Sequence, residues 1–188
     1  CFMLSEKNQD YYHNMCLDLT PQKSKNILII GGGDYGIASM LSRRDSNAKI
    51  TIVEIDEKVV QVSKKYFPKH FTLNIEQLKN IKLIIQDGMI FLKNNLTKYD
   101  SIIIDSTDPI GRAKILYSKN FVRLCGASLK KGGTLIQQSG SPINDMKSLI
   151  KPLIKKYDDI GMKKIILSSF PMPLYPTGTW CFISAKRA

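Results

Sequence analysis

The sequence predicts a doubly wound α/β domain: a mostly parallel sheet of about seven strands, helices on both faces, and an antiparallel hairpin at one edge. Three observations carry this. Short apolar, β-branched runs at 27–30, 50–53, 81–85, 100–104 and 134–138 alternate with stretches of helical period. The first run is followed by Gly31, Gly33 and Gly36 at G-x-G-x-x-G spacing, which suits a tight turn, a close approach of backbone to ligand, and a helix start packed on the strand. The last two runs, 163–169 and 178–185, are joined only by a short proline-containing loop, so they pair antiparallel.

In order along the chain, residues 10–17 read as a short helix, in which Tyr11 and Tyr12 serve either packing or the site. The run 27–30 is apolar throughout, the pattern of a strand buried on both faces. Ile37 and its successors open a helix, and the run 50–53 ends in Glu54. A second helix spans 56–66, with Val59, Val60, Val62 and Ser63 on its apolar side, and Phe67-Pro68 ends it. Residues 69–80 read as a polar loop. The strand 81–85 leads to Asp87-Gly88 and a short helix start at 89–92. The strand 100–104 leads to Asp105-Ser-Thr-Asp-Pro-Ile-Gly111. A helix over 118–129 is stopped by Lys131-Gly132-Gly133. Ser141-Pro142 then opens a helix to about Tyr157, with a kink expected at Pro152. There is no internal repeat and no linker. Residues 1–188 read as one domain, with 1–20 as a lead-in.

Composition narrows the function classes. No apolar run approaches the length of a membrane span and no secretory h-region is visible, so the expected location is cytoplasmic. The four cysteines are scattered without zinc-like spacing, which points to free thiols and no metal. Net charge is +12, but the lysines are spread along the chain with no RNA-binding or helix-turn-helix pattern; a solvated surface is expected, with no nucleic acid and no membrane as partner. The acids are more telling. Asp34, Glu54, Asp56, Asp87, Asp105 and Asp108 fall at or just after the C-terminal ends of apolar runs, which form one rim in a doubly wound sheet. A basic chain with an acidic rim suits a cationic ligand.

Glu54 is placed to accept hydrogen bonds from both hydroxyls of a ribose. Asp87 can accept from an adenine amino group, with Gly88 leaving room for the ring; it is equally suited to cap a helix. Asp34, inside the glycine turn, would repel the pyrophosphate of a dinucleotide and attract a sulfonium or ammonium, which moves the reading from NAD to a ligand of the S-adenosylmethionine type. Asp105 and Asp108 bracket a turn. They are either turn formers, a carboxylate pair for a diamine and for taking a proton from an amine, or magnesium ligands.

Together these residues resemble the spermidine synthase family of polyamine aminopropyltransferases. Gly-Gly-Gly-Asp-x-Gly (31–36), Val-Glu-Ile-Asp (53–56), Asp-Gly (87–88), Asp-Ser-Thr-Asp-Pro-Ile-Gly (105–111), Gln-Ser-x-Ser-Pro (138–142) and Tyr-Pro-Thr-Gly (175–178) match in order and spacing, from about Leu4 to Lys186. The resemblance implies a Rossmann-like sheet of the class I S-adenosylmethionine-dependent methyltransferase type. It implies decarboxylated S-adenosylmethionine as co-substrate, lying on Gly31, Gly33, Asp34, Glu54, Asp87, Gly88 and Asp105, and putrescine or a similar diamine held by His13, Asp108 and Tyr175. Asp105 and Tyr12 deprotonate the attacking amine, and the loop from Ser106 to about Tyr117 closes over the substrates. A homo-oligomer, dimer or tetramer, is implied as well.

The chain departs from the family pattern at several points. Asn8-Gln9 replaces an Asp-Glu pair, Met3 a glutamine, Tyr35 a glycine and Gly140 a glutamate, and the family's N-terminal β domain is expected to be absent from this chain. Two other readings stand beside aminopropyl transfer: an S-adenosylmethionine-dependent diamine N-methyltransferase, and a catalytically silent binding domain of the same fold.

Overall fold

The computed structural model describes Ser5 and residues 8–71 and 79–188; Met3 and part of the polar loop expected at 69–80 lie outside them. Among the described residues seven strands form one sheet: β1 (Asn26–Gly31), β2 (Lys49–Glu54), β3 (Ile81–Ile85), β4 (Tyr99–Asp105), β5 (Leu129–Gln138), β6 (Lys163–Pro171) and β7 (Thr179–Lys186). Their order is β3-β2-β1-β4-β5-β7-β6. The first five run parallel, and β7 is antiparallel to both β5 and β6. The chain winds outward from β1 to β3, then returns to add β4 on the other side of β1. The order therefore reverses between β1 and β4, and in open α/β sheets the C-terminal ends of the strands at such a reversal are where ligands bind.

Among the described residues six helices of ordinary α geometry flank the sheet: α1 (Gln9–Leu19), α2 (Gly36–Arg44), α3 (Glu57–Tyr66), α4 (Gly88–Asn94), α5 (Lys119–Ser128) and α6 (Lys151–Asp159). Alternation along β1 splits the core. Ile27 and Ile29 pack with Ile37 and Leu41 of α2 and with Cys16 of α1, while Leu28 and Ile30 pack with Leu92 of α4, Phe121 of α5 and Leu153 of α6. Local caps set the helix starts. Asp56 accepts from the Lys58 N–H at 2.9 Å, and Ser118 from the Phe121 N–H at 3.2 Å. Among the described residues no helix is long and apolar enough to cross a membrane.

Two boundaries differ from expectation. The helix expected over 118–129 ends at Ser128, and Lys131-Gly132-Gly133 is not its stop but the irregular start of β5. Pairing begins at Tyr99 with Leu129 and shifts register before Ser101 with Thr134. Gly132 turns there at φ +74°, and a Cβ on Gly133 would lie 3.1 Å from the Asp100 carbonyl oxygen. Likewise, the segment after Ser141-Pro142 opens as a turn. A π-helical turn, Met146–Ile150, then delivers the chain to α6. Pro152 has no N–H to continue an i→i−4 ladder, so it sits in the first turn of α6, where none is needed, and the expected kink falls just before it.

Candidate active site

The parallel register puts the acids side by side. Gly31 pairs with Asp105, and the Gly32 N–H donates to the Asp105 carbonyl at 3.2 Å, so β4 ends against the glycine turn. A Cβ on Gly32 would lie 3.4 Å from the Asp105 carboxylate, and one on Gly33 would sit 2.8 Å from Cγ of Glu54. Glycine at 33 is therefore what lets the β2 acid lie against the turn. Glu54 is 7% exposed and accepts from the backbone N–H groups of Gly33 at 3.3 Å and Asp56 at 3.0 Å. Burial still raises its carboxyl above the usual range, against those bonds. Asp34 uses one oxygen to accept from the Gly36 N–H at 2.8 Å, closing the turn onto the start of α2.

Asp105 is the most perturbed of these acids. Burial, then the charge of Asp34 and that of Glu54, push it up to about 7, with the bond from Tyr12 opposing. That bond runs from the Tyr12 hydroxyl to Oδ1 of Asp105 at 2.7 Å. Tyr12 comes from α1, where it is 9% exposed and packed on Phe182 and Phe170. It thus packs in the core and reaches Asp105 at once. Arg44 steadies that helix: its Nη1 donates to the carbonyls of Leu17 and Thr20, at 2.9 Å each.

Asp108 lies farther out on the loop after β4. Burial and then the charge of Asp145 raise it, opposed by Gln138. Tyr175 stands on the β6–β7 connection, edge-on to Trp180 at 4.7 Å. Burial pushes its phenol up to about 12, helped by Asp105, Asp108 and Asp34. One phenol therefore feels three of the rim acids at once. The loop after β4 is anchored from β5: Gln138 Nε2 donates to the Ser106 carbonyl at 2.8 Å and to the Tyr117 hydroxyl at 2.6 Å, while its Oε1 accepts from Trp180 Nε1 at 3.0 Å.

Other expected site residues are placed less directly. Asp87 accepts from the N–H groups of Met89 at 2.8 Å and Ile90 at 3.0 Å, so it caps α4; its partly exposed carboxylate still lies on the rim. A Cβ on Gly88 would meet the Ile30 side chain at 2.7 Å, so glycine there also serves the packing of α4 on β1. His13 is 4% exposed behind the glycine turn, between Tyr12 and His70, and packs where a side chain on Gly36 would be. Burial lowers its pKa, opposed by Asp34. Gly140 has φ +79°, and the Asp145 carboxylate lies 2.7 Å from where its Cβ would point.

Sequence reasoning passed over Gln138 as a hub, Asp145 and His70. A pair of glutamines ending an apolar strand was a signal for the first; the other two sit in polar stretches that carry none. Among the described residues no three His, Cys, Asp or Glu side chains converge as a metal site. The arrangement offers a row of acids, without an ion-pair partner among the described residues, around the glycine turn.

The spermine/spermidine synthase domain family matches residues 9–188. The polyamine aminopropyltransferase of Methanocaldococcus jannaschii is 36% identical over 189 residues, covering 99% of this chain and 64% of that protein. The polyamine aminopropyltransferase of Thermoplasma acidophilum is 38% identical over 193 residues, covering 97% and 67%. A solved spermidine synthase in complex with the transition-state analogue AdoDATO superposes with a TM-score of 0.84 at 27% identity, covering 98% of this chain and 63% of that one. The spermidine synthase of Thermotoga maritima superposes at 0.82 with 25% identity, covering 98% and 61%. The chain thus spans about two thirds of the length of the curated relatives it matches.

Proposed function

The chain belongs to the spermine/spermidine synthase domain family, and on that premise we propose that it transfers the aminopropyl group of decarboxylated S-adenosylmethionine to putrescine or a similar diamine. The observation that carries the reading is Asp105: a carboxylate ending the central strand, bonded to Tyr12 and pushed up to about 7, without an ion-pair partner among the described residues.

The step needs what this rim supplies. An alkylammonium is almost wholly protonated at neutral pH, so its nitrogen has no lone pair to attack with. Asp105, with Tyr12 holding it, takes the proton. The freed nitrogen attacks the methylene carbon bonded to the sulfonium. The new C–N bond forms as the C–S bond breaks, and the bonding pair returns to sulfur, so that neutral methylthioadenosine leaves with spermidine. Bringing two cations together requires negative charge around them, which Asp34, Asp105 and Asp108 provide. In this reading Glu54 holds the ribose, Asp87 reads the adenine from the start of α4, and Asp34 and Asp105 face the donor's ammonium. His13, Asp108 and Tyr175 hold the diamine. The loop from Ser106 to Tyr117 closes over both substrates. We read residues 1–188 as one catalytic domain of a cytoplasmic homo-oligomer, a dimer or tetramer.

Titration calorimetry tests the donor. Decarboxylated S-adenosylmethionine and methylthioadenosine are expected to bind more tightly than S-adenosylmethionine, whose extra carboxylate faces Asp34. Equal or reversed affinities favour the methyltransferase reading. Transfer to putrescine, followed by spermidine formation, separates the enzyme from a silent binding domain.

A further inference from the structure

Three consecutive residues outside the acidic row pack on the glycine turn and on the helix that follows it. They belong to the 3-10 turn Pro68–Phe71, which follows α3. Lys69 gives its carbonyl to Nη2 of Arg43 on α2, at 3.1 Å. His70 folds back until it is 7% exposed and sets Nδ1 3.0 Å from the backbone oxygen of Asp34. Phe71 lays its ring on Tyr35, with centroids 4.6 Å apart. The His70 ring also stacks on Phe67 at 5.9 Å and meets His13 edge-on at 5.5 Å.

A carbonyl oxygen only accepts, so the Asp34 contact requires the His70 proton on Nδ1. That contact holds the peptide between Asp34 and Tyr35, the one whose orientation sets where the turn goes next. Tyr35 stands at φ +65°, a state that an L side chain keeps only where its surroundings enforce it. His70 and Phe71 supply that enforcement, one on each side of the peptide bond. The Asp34 carboxylate takes its own bond from the Gly36 N–H, just past that peptide, so the aim of the carboxylate follows the peptide. Glu54 takes one bond from Gly33, before the held peptide, and one from Asp56 outside the turn, and Asp87 takes both of its bonds from the start of α4.

We propose that His70 is a positioning residue for the cationic end of the donor, a role that rests on the aminopropyl-transfer reading: by holding the Asp34 carbonyl it aims the Asp34 carboxylate, and it leaves the adenosine contacts alone. Calorimetry on the 188-residue chain tests this with two ligands, decarboxylated S-adenosylmethionine and methylthioadenosine, which lacks the aminopropyl group. His70→Ala should weaken the first about tenfold, the scale of one hydrogen bond to a charged group, and leave the second within about twofold. His70→Asn returns an N–H close to the place of Nδ1 and should recover most of the loss. His70→Phe keeps the ring packing and removes only the donor, so it carries the same expectation as alanine should His70→Ala fail to fold. Equal losses for both ligands, or no loss for either, overturn the positioning role and leave aminopropyl transfer standing. A parent chain that binds neither ligand overturns both.

Discussion

Carboxylates at the two extremes of this molecule are treated in opposite ways. On the outer surface Asp45, Asp100 and Asp159 are each met by lysine: Lys25, Lys130, and Lys119 with Lys155. Asp45 and Asp159 are lowered by those bonds, and Asp100 is lowered by Lys130, Asn26 and Lys25 against a desolvation that opposes them. At the rim, Glu54, Asp105 and Asp108 are raised, chiefly by burial, and no lysine or arginine pairs with them among the described residues. The difference is not a shortage of cations in a chain of net charge +12. Among the described residues the ion pairs gather on the outer surface and none reaches the rim acids. A carboxylate buried without a partner is both a proton acceptor near neutral pH and a place where a cationic ligand gains more than it would on the surface.

The strongest way to break this contrast is Asp105→Asn, which keeps shape and removes charge and basicity. Turnover should fall on the order of a hundredfold or more, the scale of losing a positioned base, while methylthioadenosine binding survives through Glu54 and Asp87. Parent turnover should rise with pH through about 7 as Asp105 loses its proton, and the variant should lack that limb. Steady-state kinetics across pH decides; near-normal turnover would make Asp105 a turn residue only.

Gly140→Glu adds a further carboxylate to the rim and returns the residue usual in the resembling family. Here it meets a backbone at φ +79° and the Asp145 carboxylate 2.7 Å from its Cβ. Stability should fall by about 2–3 kcal/mol in denaturant unfolding, with no gain in diamine affinity. A lower Michaelis constant for putrescine would show instead that the segment yields to admit it. A milder change is Asp108→Asn. It should raise the diamine Michaelis constant about tenfold and lower turnover less, since this acid serves binding more than proton transfer. A purely kcat effect would move Asp108 into the chemistry.

The smallest effect carries the sharpest sign. Asp105 is raised from 3.8 to about 7, so the folded parent binds this proton more tightly than the unfolded chain does. Its contribution is fully present below the unfolded value and is lost as pH rises through about 7. Asp105→Asn does not titrate, so its stability relative to the parent should improve between pH 5 and pH 8. Asp100 is shifted the other way. Its contribution is present above the usual carboxylate range and is lost as pH falls through its lowered value, so Asp100→Asn should cost about 1 kcal/mol at neutral pH and less in acid. Thermal melts of the two variants at several pH values should diverge in opposite directions; parallel curves would remove the contrast.

The parallel sheet and its acidic rim were legible in the chain because β-branched runs buried on both faces admit few other readings, and because an acid follows nearly every one. Glu54, Asp87 and Asp105 could be placed from local spacing alone. The start of β5 could not: Gly132-Gly133 has the chemistry of a helix stop, and only the neighbouring Asp100 backbone shows that the glycines admit a close strand. The π turn before α6 was visible only as a proline out of place. His70 and Asp145 were beyond reach for a plainer reason. Each acts on a residue chosen by the fold, Asp34 and Gly140, and no periodicity joins 70 to 34.

Helix α1 has three buried residues, Tyr12, His13 and Cys16, and the first two belong to the site or its backing. Its other apolar contacts, Met15, Leu17 and Leu19, are only partly buried, so the helix should open more readily than the fully buried strands beneath it. Its docking and the completion of the site are then one equilibrium. Any ligand that needs Tyr12 on Asp105 must slow amide hydrogen exchange along residues 12–16, by a factor that grows with saturation and reaches about a hundredfold at a hundred times the dissociation constant. The strand amides of 27–30, buried in the sheet, should exchange far more slowly than those of α1 in the absence of ligand. Global opening loses the ligand as surely as undocking of α1 does, so both sets should slow by the same factor and the gap between them should stay constant as the site fills.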